Sequence, residues 1–588
     1  MKKTLLLAAF IASTCLGQAQ ESFTELPDHE ASIAEEWKGV KNIRAAWGTS
    51  DVRYTWHSLP DVKTLKRSET LTAWRGERVS TQAVVYSGIA TDSLSLLTIQ
   101  LTSFRNGRHT LPAEAVTAAF VRYVKTDAWA TPDGRGAGCG HRPDHTIYDS
   151  AMVADMIDPH IESISMDAMS TRSVWVSCQI PTDAASGTYS GMLSIKAGKR
   201  VVAKLPLNIK VMKRTLPSPK DWKFHLDLWQ NPFAEARYYN TPLWSDAHLE
   251  AMRPSMEMLA AAGQKVITAS IMHKPWNGQT EDYFDSMVTW TKNLDGTWEF
   301  GFEVFDRWIE FMMSCGISEQ INCFSMIPWA LSFPYYDVAT NRMQVLRAAP
   351  GDAAYEDMWV TMLKAFSQHL REKGWFPITT IAMDERPMHA MQKAMAVIRK
   401  ADPEFKVSLA GNWHPEIEAD LYDYCIALDQ AELLPQEVFT RRKGEGKKTT
   451  VYTCCSTHKP NTFTFSVPAE GAWYGFYVAQ SKYDGYLRWA YNSWVKHPLH
   501  DTRFRSWPAG DTYMVYPHGR SSVRFEKLIE GIQACEKVRI LREEFTRAND
   551  FDRLNKLNAL IGKFNFNSQY TDDFPTLMRQ GQEELNAL

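Results

Sequence analysis

The chain has 588 residues, 44% of them hydrophobic and 23% charged, with 65 Lys and Arg against 68 Asp and Glu and a formal net charge of -3. That length exceeds one small domain, so two domains and an extension are the starting expectation. A balanced charge without a long Lys/Arg run excludes a nucleic-acid footprint, and after the N-terminal leader no stretch is long and apolar enough for a transmembrane helix.

Met1 to Ala19 reads as a secretory signal, with Lys2-Lys3 as the basic region, Leu5 to Ile11 as the apolar region and Gly17-Gln18-Ala19 as the cleavage site. The expected location is outside the cytoplasm, periplasmic or secreted. Lipoprotein anchoring through Cys15 is disfavoured because Ala12-Ser13-Thr14 makes a poor lipobox.

Residues 20–220 are predicted to form a β-sandwich. Candidate strands are Val79 to Tyr86, Ser95 to Leu101, Ala118 to Val124, Ser173 to Ile180, Tyr189 to Ile195 and a last one in which Leu205, Leu207, Ile209 and Val211 share a face. Turns at Asn106-Gly107, Ser186-Gly187 and Ala197-Gly198 separate them. Short strands without helical periods argue for a sandwich. Pro206 suggests that its strand lies at an edge. Asp127 to Tyr148, rich in Gly, Pro, Asp and His, reads as a long loop. Leu216-Pro217-Ser218-Pro219-Lys220 is a stiff connector.

Residues 221–550 alternate strand and helix. Eight strand candidates are Lys223 to Trp229, Lys265 to Ile271, Gln320 to Met326, Ile378 to Glu385, Lys406 to Gly411, Tyr424 to Gln430, Thr449 to Cys455 and Gly485 to Trp494. Helical periods separate most of them; Gly316 and Gly374 mark helix ends, and Ser521-Ser522 caps a long helix over Val523 to Arg547. Eight such units predict a (β/α)8 TIM-like barrel, followed by a helical extension over 551–588. Cys323, Cys425, Cys454 and Cys455 fall in these strands, so buried free thiols are expected. No C-x-x-C, His-x-His or His-Glu-x-x-His spacing occurs, so neither a metal nor another cofactor is expected.

Active sites of such barrels lie at the C-terminal strand ends. The fourth candidate strand runs Ile378-Thr379-Thr380-Ile381-Ala382-Met383 and stops at Asp384-Glu385-Arg386-Pro387. Two adjacent carboxylates ending a buried strand are costly unless used or paired. They read as the catalytic pair of a glycoside hydrolase, against the plainer alternative of a rim ion pair with Arg386. Trp recurs at the strand ends, as Trp229, Trp276, Trp329, Trp413 and Trp494, with amides and carboxylates between them. Flat apolar faces beside planar polar groups suit a sugar pocket.

The chain resembles glycoside hydrolase family 123, the exo-acting β-N-acetylgalactosaminidases. The resemblance rests on Leu226-Asp227-Leu228-Trp229-Gln230-Asn231-Pro232, Gly263-Gln264-Lys265, Pro275-Trp276, Asn322-Cys323-Phe324-Ser325-Met326 with Pro328-Trp329, and Met383-Asp384-Glu385-Arg386-Pro387. Asp511 to Gly531 is similar to the family's C-terminal segment. The resemblance implies a glycan or glycolipid substrate and a retaining, substrate-assisted mechanism through an oxazoline, a noted exception to the two-carboxylate scheme. By analogy Asp384 orients the substrate acetamido N–H, and Glu385 is the acid and then the base. Glu385 is accordingly expected in the more apolar setting and Asp384 in the better hydrogen-bonded one. Trp229, Trp329, Trp413 and Trp489 are stacking candidates; Asn322, Asn412 and Tyr452 are candidate partners for hydroxyls or the acetamide. The alternatives are a β-N-acetylglucosaminidase or other glycosidase with the same site, a non-catalytic glycan-binding protein, and, weakest, a metal hydrolase.

Overall fold

The computed structural model describes residues 24–28, 30–127, 150–505 and 507–588. The leader with Cys15 and nearly all of the Asp127 to Tyr148 segment lie outside the described residues.

The first domain is a sandwich of two sheets. One has the strand order Ile43–Gly48, Arg78–Ser87, Ser170–Gln179, Val116–Asp127, Ser150–Asp158. The other runs Glu69–Arg75, Arg200–Thr215, Gly187–Ala197, Leu97–Leu101, Ser163–Ile164, with a small hairpin at Arg105–Asn106 and His109–Thr110. Period-two alternation puts Leu205, Leu207, Ile209 and Val211 inward, where they meet Trp47, Val85, Phe120 and Val174 from the facing sheet. The strand with Pro206 is not an edge strand. It pairs on both sides, but its parallel partner begins only at Leu207, one residue past the proline. The missing N–H therefore costs no ladder bond.

The second domain is an all-parallel, eight-stranded barrel. Its strands are β1 (His225–Leu228), β2 (Val266–Ser270), β3 (Gln320–Phe324), β4 (Thr379–Met383), β5 (Lys406–Gly411), β6 (Asp423–Ala427), β7 (Lys448–Tyr452) and β8 (Gly485–Arg488). The order β1-β8-β7-β6-β5-β4-β3-β2 makes each strand the neighbour of the next in sequence. Gly485 sits where β8 crosses β1 closely; a Cβ there would lie 1.9 Å from the His225 carbonyl oxygen. Between β1 and β2 the ladder is a single bridge, Leu226 to Gln264, and side chains complete it. Gln264 accepts from the Leu228 N–H and donates to the Leu228 and Val266 carbonyls. Gln230 accepts from the Thr268 N–H. These two glutamines belong to the family-like motifs, and their work is barrel closure.

Helices cover the barrel. In Glu303–Ser314, Phe305, Trp308, Ile309 and Met312 share the buried stripe. Helix Ala353–Lys373 ends at Gly374 in the left-handed conformation, and helix Met388–Ala401 follows the β4 turn. The sequence reading did not foresee a small four-stranded sheet beside the barrel mouth, formed by Thr289–Lys292, Trp298–Gly301, Ser332–Asp337 and Arg342–Arg347.

Helix Val523–Arg547, capped by the Ser522 hydroxyl, lies between the two domains and is buried around most of its surface. Its charges are paired with the sandwich: Arg524 with Asp155, Glu526 with Arg78, Lys527 with Asp51, and Lys537 with Glu77. The extension adds helices Phe551–Gly562 and Phe574–Ala587, which bury Leu557, Leu560, Ile561 and Met578. Cys323 and Cys425 are buried free thiols and Cys454 is a half-buried one. Cys455, expected free, is instead in a disulfide, and its partner is not among the described residues.

Candidate active site

Strand β4 is buried throughout and the chain emerges at Asp384. Pro387 then turns it into helix Met388–Ala401. Asp384 is half-buried. One of its oxygens accepts from the Glu385 backbone N–H at 2.7 Å and the other from the Trp329 indole N–H at 3.2 Å. Burial, then the adjacent Glu385, push its carboxyl up to about 6, while those two N–H donors and Arg386 pull it down. The Arg386 guanidinium lies over the Trp329 ring, 5.1 Å from its centroid. Arg386 thus packs on the residue that holds Asp384.

Glu385 is exposed at the mouth. The Tyr452 hydroxyl, at the end of β7, donates to its Oε1. β4 and β7 are separated by β5 and β6, so this bond spans the opening. Burial, then the Glu385 charge, raise the Tyr452 phenol well above its ordinary value, so it stays a donor. The two carboxylates are therefore in different settings, but the settings are the reverse of those expected in one respect. Asp384 is the better hydrogen-bonded, as expected, yet it is also the more enclosed; Glu385 sits in the open.

The remaining candidates divide. Trp329 is 38% exposed and presents a face at the mouth. Trp413 is half-buried, its ring stacked on Tyr424 and its backbone N–H donating to Gln430. Trp489 is half-buried after β8, its indole N–H donating to Asp511 at 3.2 Å. Asn412 is exposed after β5, its carbonyl accepting from Tyr424. Trp229 is not an open platform: it is 4% exposed and packs on Trp276 and Phe324, with centroids at 4.9 and 4.6 Å. Trp276 and Trp494 are likewise core residues. Three of the five rim tryptophans thus serve packing.

Asn322 is also displaced from its expected role. It lies inside the barrel, where its oxygen accepts from Gln320 and Thr380 and its amide donates to Asp227. Those residues, with His225 and Asp423, form a polar layer in the barrel interior. Burial, then the charge of Asp423, push the Asp227 carboxyl up to about 7.

Sequence reasoning missed Arg488, Asn461 and Asp511 behind Trp489. Arg488 and Asp511 form a fully buried ion pair at 2.7 Å; in the sequence Arg488 fell inside the candidate strand Gly485 to Trp494 and Asp511 opened the family-like C-terminal segment, with nothing to pair the two. Among the described residues no group of His, Cys, Asp and Glu is arranged to hold a metal ion, and no helix is long and apolar enough to cross a membrane.

A strand-end Asp-Glu pair, held by an indole and a tyrosine at the mouth of a barrel, is equipped for carbohydrate chemistry, and comparison with known proteins agrees. Residues 229–541 match the glycoside hydrolase 123 catalytic domain, and residues 47–197 match the glycoside hydrolase 123 N-terminal domain. A family 123 glycoside hydrolase from Clostridium perfringens, studied for glycolipid glycan hydrolysis, is 25% identical with a TM-score of 0.82, over 93% of this chain and 97% of that one. A family 39 glycoside hydrolase from Bacteroides cellulosilyticus aligns over 79% of this chain and 81% of its own at 8% identity, with a TM-score of 0.33. A search of the curated proteins finds no match. With the catalytic-domain match spanning more than half of its length, and the site at the barrel mouth, the chain belongs to glycoside hydrolase family 123.

Proposed function

We propose that this glycoside hydrolase is an exo-acting β-N-acetylgalactosaminidase that works with retention through an oxazoline formed by the substrate's own acetamido group. The observation that carries the reading is the placement of both carboxylates on consecutive residues of one strand end, with a tyrosine rather than a third carboxylate reaching Glu385 from across the mouth. A conventional retaining pair stands ~5–5.5 Å apart across the scissile bond, and substrate-assisted enzymes depart from it. Consecutive carboxylates serve neighbouring positions on one ring instead.

In this scheme Asp384, oriented by Trp329 and the Glu385 N–H, receives the acetamido N–H and stabilises the positive charge that develops as the acetamido oxygen attacks the anomeric carbon. Glu385 protonates the leaving oxygen and then takes a proton from the incoming water. Tyr452 fixes one Glu385 oxygen and leaves the other for the leaving group. The half-buried faces of Trp413 and Trp489 and the exposed face of Trp329 are the stacking surfaces. The likeness to a hydrolase of glycolipid glycans supports a glycan or glycolipid substrate, and the leader-like N-terminus supports action outside the cytoplasm.

The test is hydrolysis of paired aryl β-N-acetylgalactosaminide and β-N-acetylglucosaminide, with the anomer first released followed by NMR. Release of β-N-acetylgalactosamine, and inhibition by a thiazoline mimic of the oxazoline, is the expected result. Turnover of the glucosaminide alone changes the donor sugar; first release of the α-anomer overturns the mechanism.

A further inference from the structure

We propose that Asp511 is a positioning residue for the sugar site: its carboxylate fixes the Trp489 ring as a stacking platform and, through Arg488 and Asn461, ties that platform to the loop after Tyr452. The proposal rests on the reading of this mouth as a glycosidase site.

One oxygen, Asp511 Oδ1, accepts from two donors, the Arg488 guanidinium at 2.7 Å and the Trp489 indole N–H at 3.2 Å. Asp511 and Arg488 are fully buried, whereas Trp489 is half-buried at the end of β8. An indole whose N–H is held by an internal carboxylate cannot rotate freely, and only its carbon surface remains for a ligand. That suits the C–H face of a pyranose. The bond to an ionised acceptor is of the strong kind, so the ring is fixed before substrate arrives and less ordering is left to do on binding.

The same cluster reaches the end of the neighbouring strand, β7. The other Arg488 nitrogen donates to Asn461 Oδ1 at 2.6 Å. The Asn461 amide donates to the Cys454 and Thr457 carbonyls at 3.0 and 2.7 Å. That loop directly follows Tyr452, the donor to Glu385. Cys454 feels both sites: after burial, the charges of Glu385 and Asp511 help push its thiol up to about 11. A single buried network thus sets the distance between the Trp489 platform and the Tyr452–Glu385 pair.

The test is a double-mutant cycle on the full chain with Asp511→Asn, Trp489→Phe and both. Asp511→Asn keeps the size and removes the charge; Trp489→Phe keeps an aromatic face, removes the N–H and leaves Arg488–Asp511 intact. Each single variant is expected to raise KM about tenfold, the loss of one charge-assisted hydrogen bond, while kcat keeps its wild-type pH profile. The double variant is expected to be no worse than the poorer single one. Multiplied effects would show that Asp511 and Trp489 act separately and would overturn the proposal. If Asp511→Asn does not fold, Trp489→Phe alone decides: a wild-type KM overturns the proposal and a raised one supports it. The cycle is run on whichever aryl N-acetylhexosaminide the wild-type chain turns over, so a different donor sugar revises the reading of activity without touching this proposal.

Discussion

The Tyr452 hydroxyl donates a hydrogen bond to Glu385 across the barrel mouth, from the end of β7 to the end of β4. The bond leaves Glu385 exposed but not free to swing. Removing it in Tyr452→Phe should cost roughly 1.5–3 kcal/mol of transition-state stabilisation, about a 10- to 150-fold loss in kcat/KM. A Tyr452→Phe enzyme with wild-type kcat/KM would show that the bond has no part in the reaction.

Glu385→Gln is expected to separate substrates by leaving group. General acid catalysis contributes about 10²–10⁴-fold, and a natural glycosidic oxygen needs all of it. An activated dinitrophenyl glycoside needs little, so its turnover should persist while that of the natural glycan nearly vanishes. Equal losses on the two substrates would remove Glu385 from the acid role.

Asp384 must be ionised to stabilise positive charge, and its carboxyl is pushed up to about 6. The acid limb of kcat/KM should therefore fall as pH drops through about 6. The Trp329 N–H favours the charged form. Trp329→Phe should then move that limb to higher pH, in addition to any loss of stacking. Asp384→Asn should impair activated and natural substrates alike. A limb that stays put in Trp329→Phe would assign it to another group.

The site's centre was legible because β4 is a β-branched and apolar run broken by charge, and a buried strand that ends in two carboxylates admits few readings. All eight barrel strands were legible for the same reason of alternation with helices. Depth was not legible. Asn322 lies only two residues before the end of β3, yet its side chain is inside the barrel, bonded to Gln320, Thr380 and Asp227. Trp229 looked like a rim residue but packs on Trp276 and Phe324. Strand Ser150–Asp158 escaped notice because Asp155 and Asp158 break its apolar pattern, and the arginines that neutralise them come from distant parts of the chain, Arg53 and Arg524 on Asp155 and Arg122 and Arg520 on Asp158. The four-stranded sheet at the mouth escaped because two of its strands are four residues long and half-exposed.

Three buried carboxyls make stability depend on pH. Burial pushes Glu235 up to about 8, Asp227 to about 7 and Glu470 to about 7. Each folded value lies above the ordinary carboxyl range, so the folded state holds these protons more tightly than the unfolded chain. Their stabilisation is complete below about pH 4 and is lost as pH rises towards 8. Glu235 receives the Asn492 amide at 2.9 Å and so stitches the loop after β8 to the helix after β1. Glu235→Gln keeps a neutral side chain of the same size. Its thermal midpoint should fall less than wild type between pH 5 and 8. A wild-type slope in that variant would mean that Glu235 does not titrate there.

Asp155 joins the sandwich to the barrel domain. Its two oxygens accept from Arg53 at 3.0 Å, from Arg524 at 2.9 Å and from the Tyr516 hydroxyl at 2.7 Å. Although burial opposes the charge, Arg524 and Arg53 hold the carboxyl below its ordinary value. Asp155→Ala would strand Arg524 in the interface beside Arg53, and removing one partner of a buried pair costs about 3–5 kcal/mol. Because Arg524 opens the helix that both domains bury, the loss should appear as a lower midpoint for the whole chain in a single cooperative transition. Two separated transitions in wild-type calorimetry would show instead that the sandwich and the barrel unfold independently and that Asp155 couples nothing. Asp155→Asn distinguishes charge from shape: it keeps an acceptor for Tyr516 but leaves the arginines without a counter-charge, so it should recover only a small part of the lost stability.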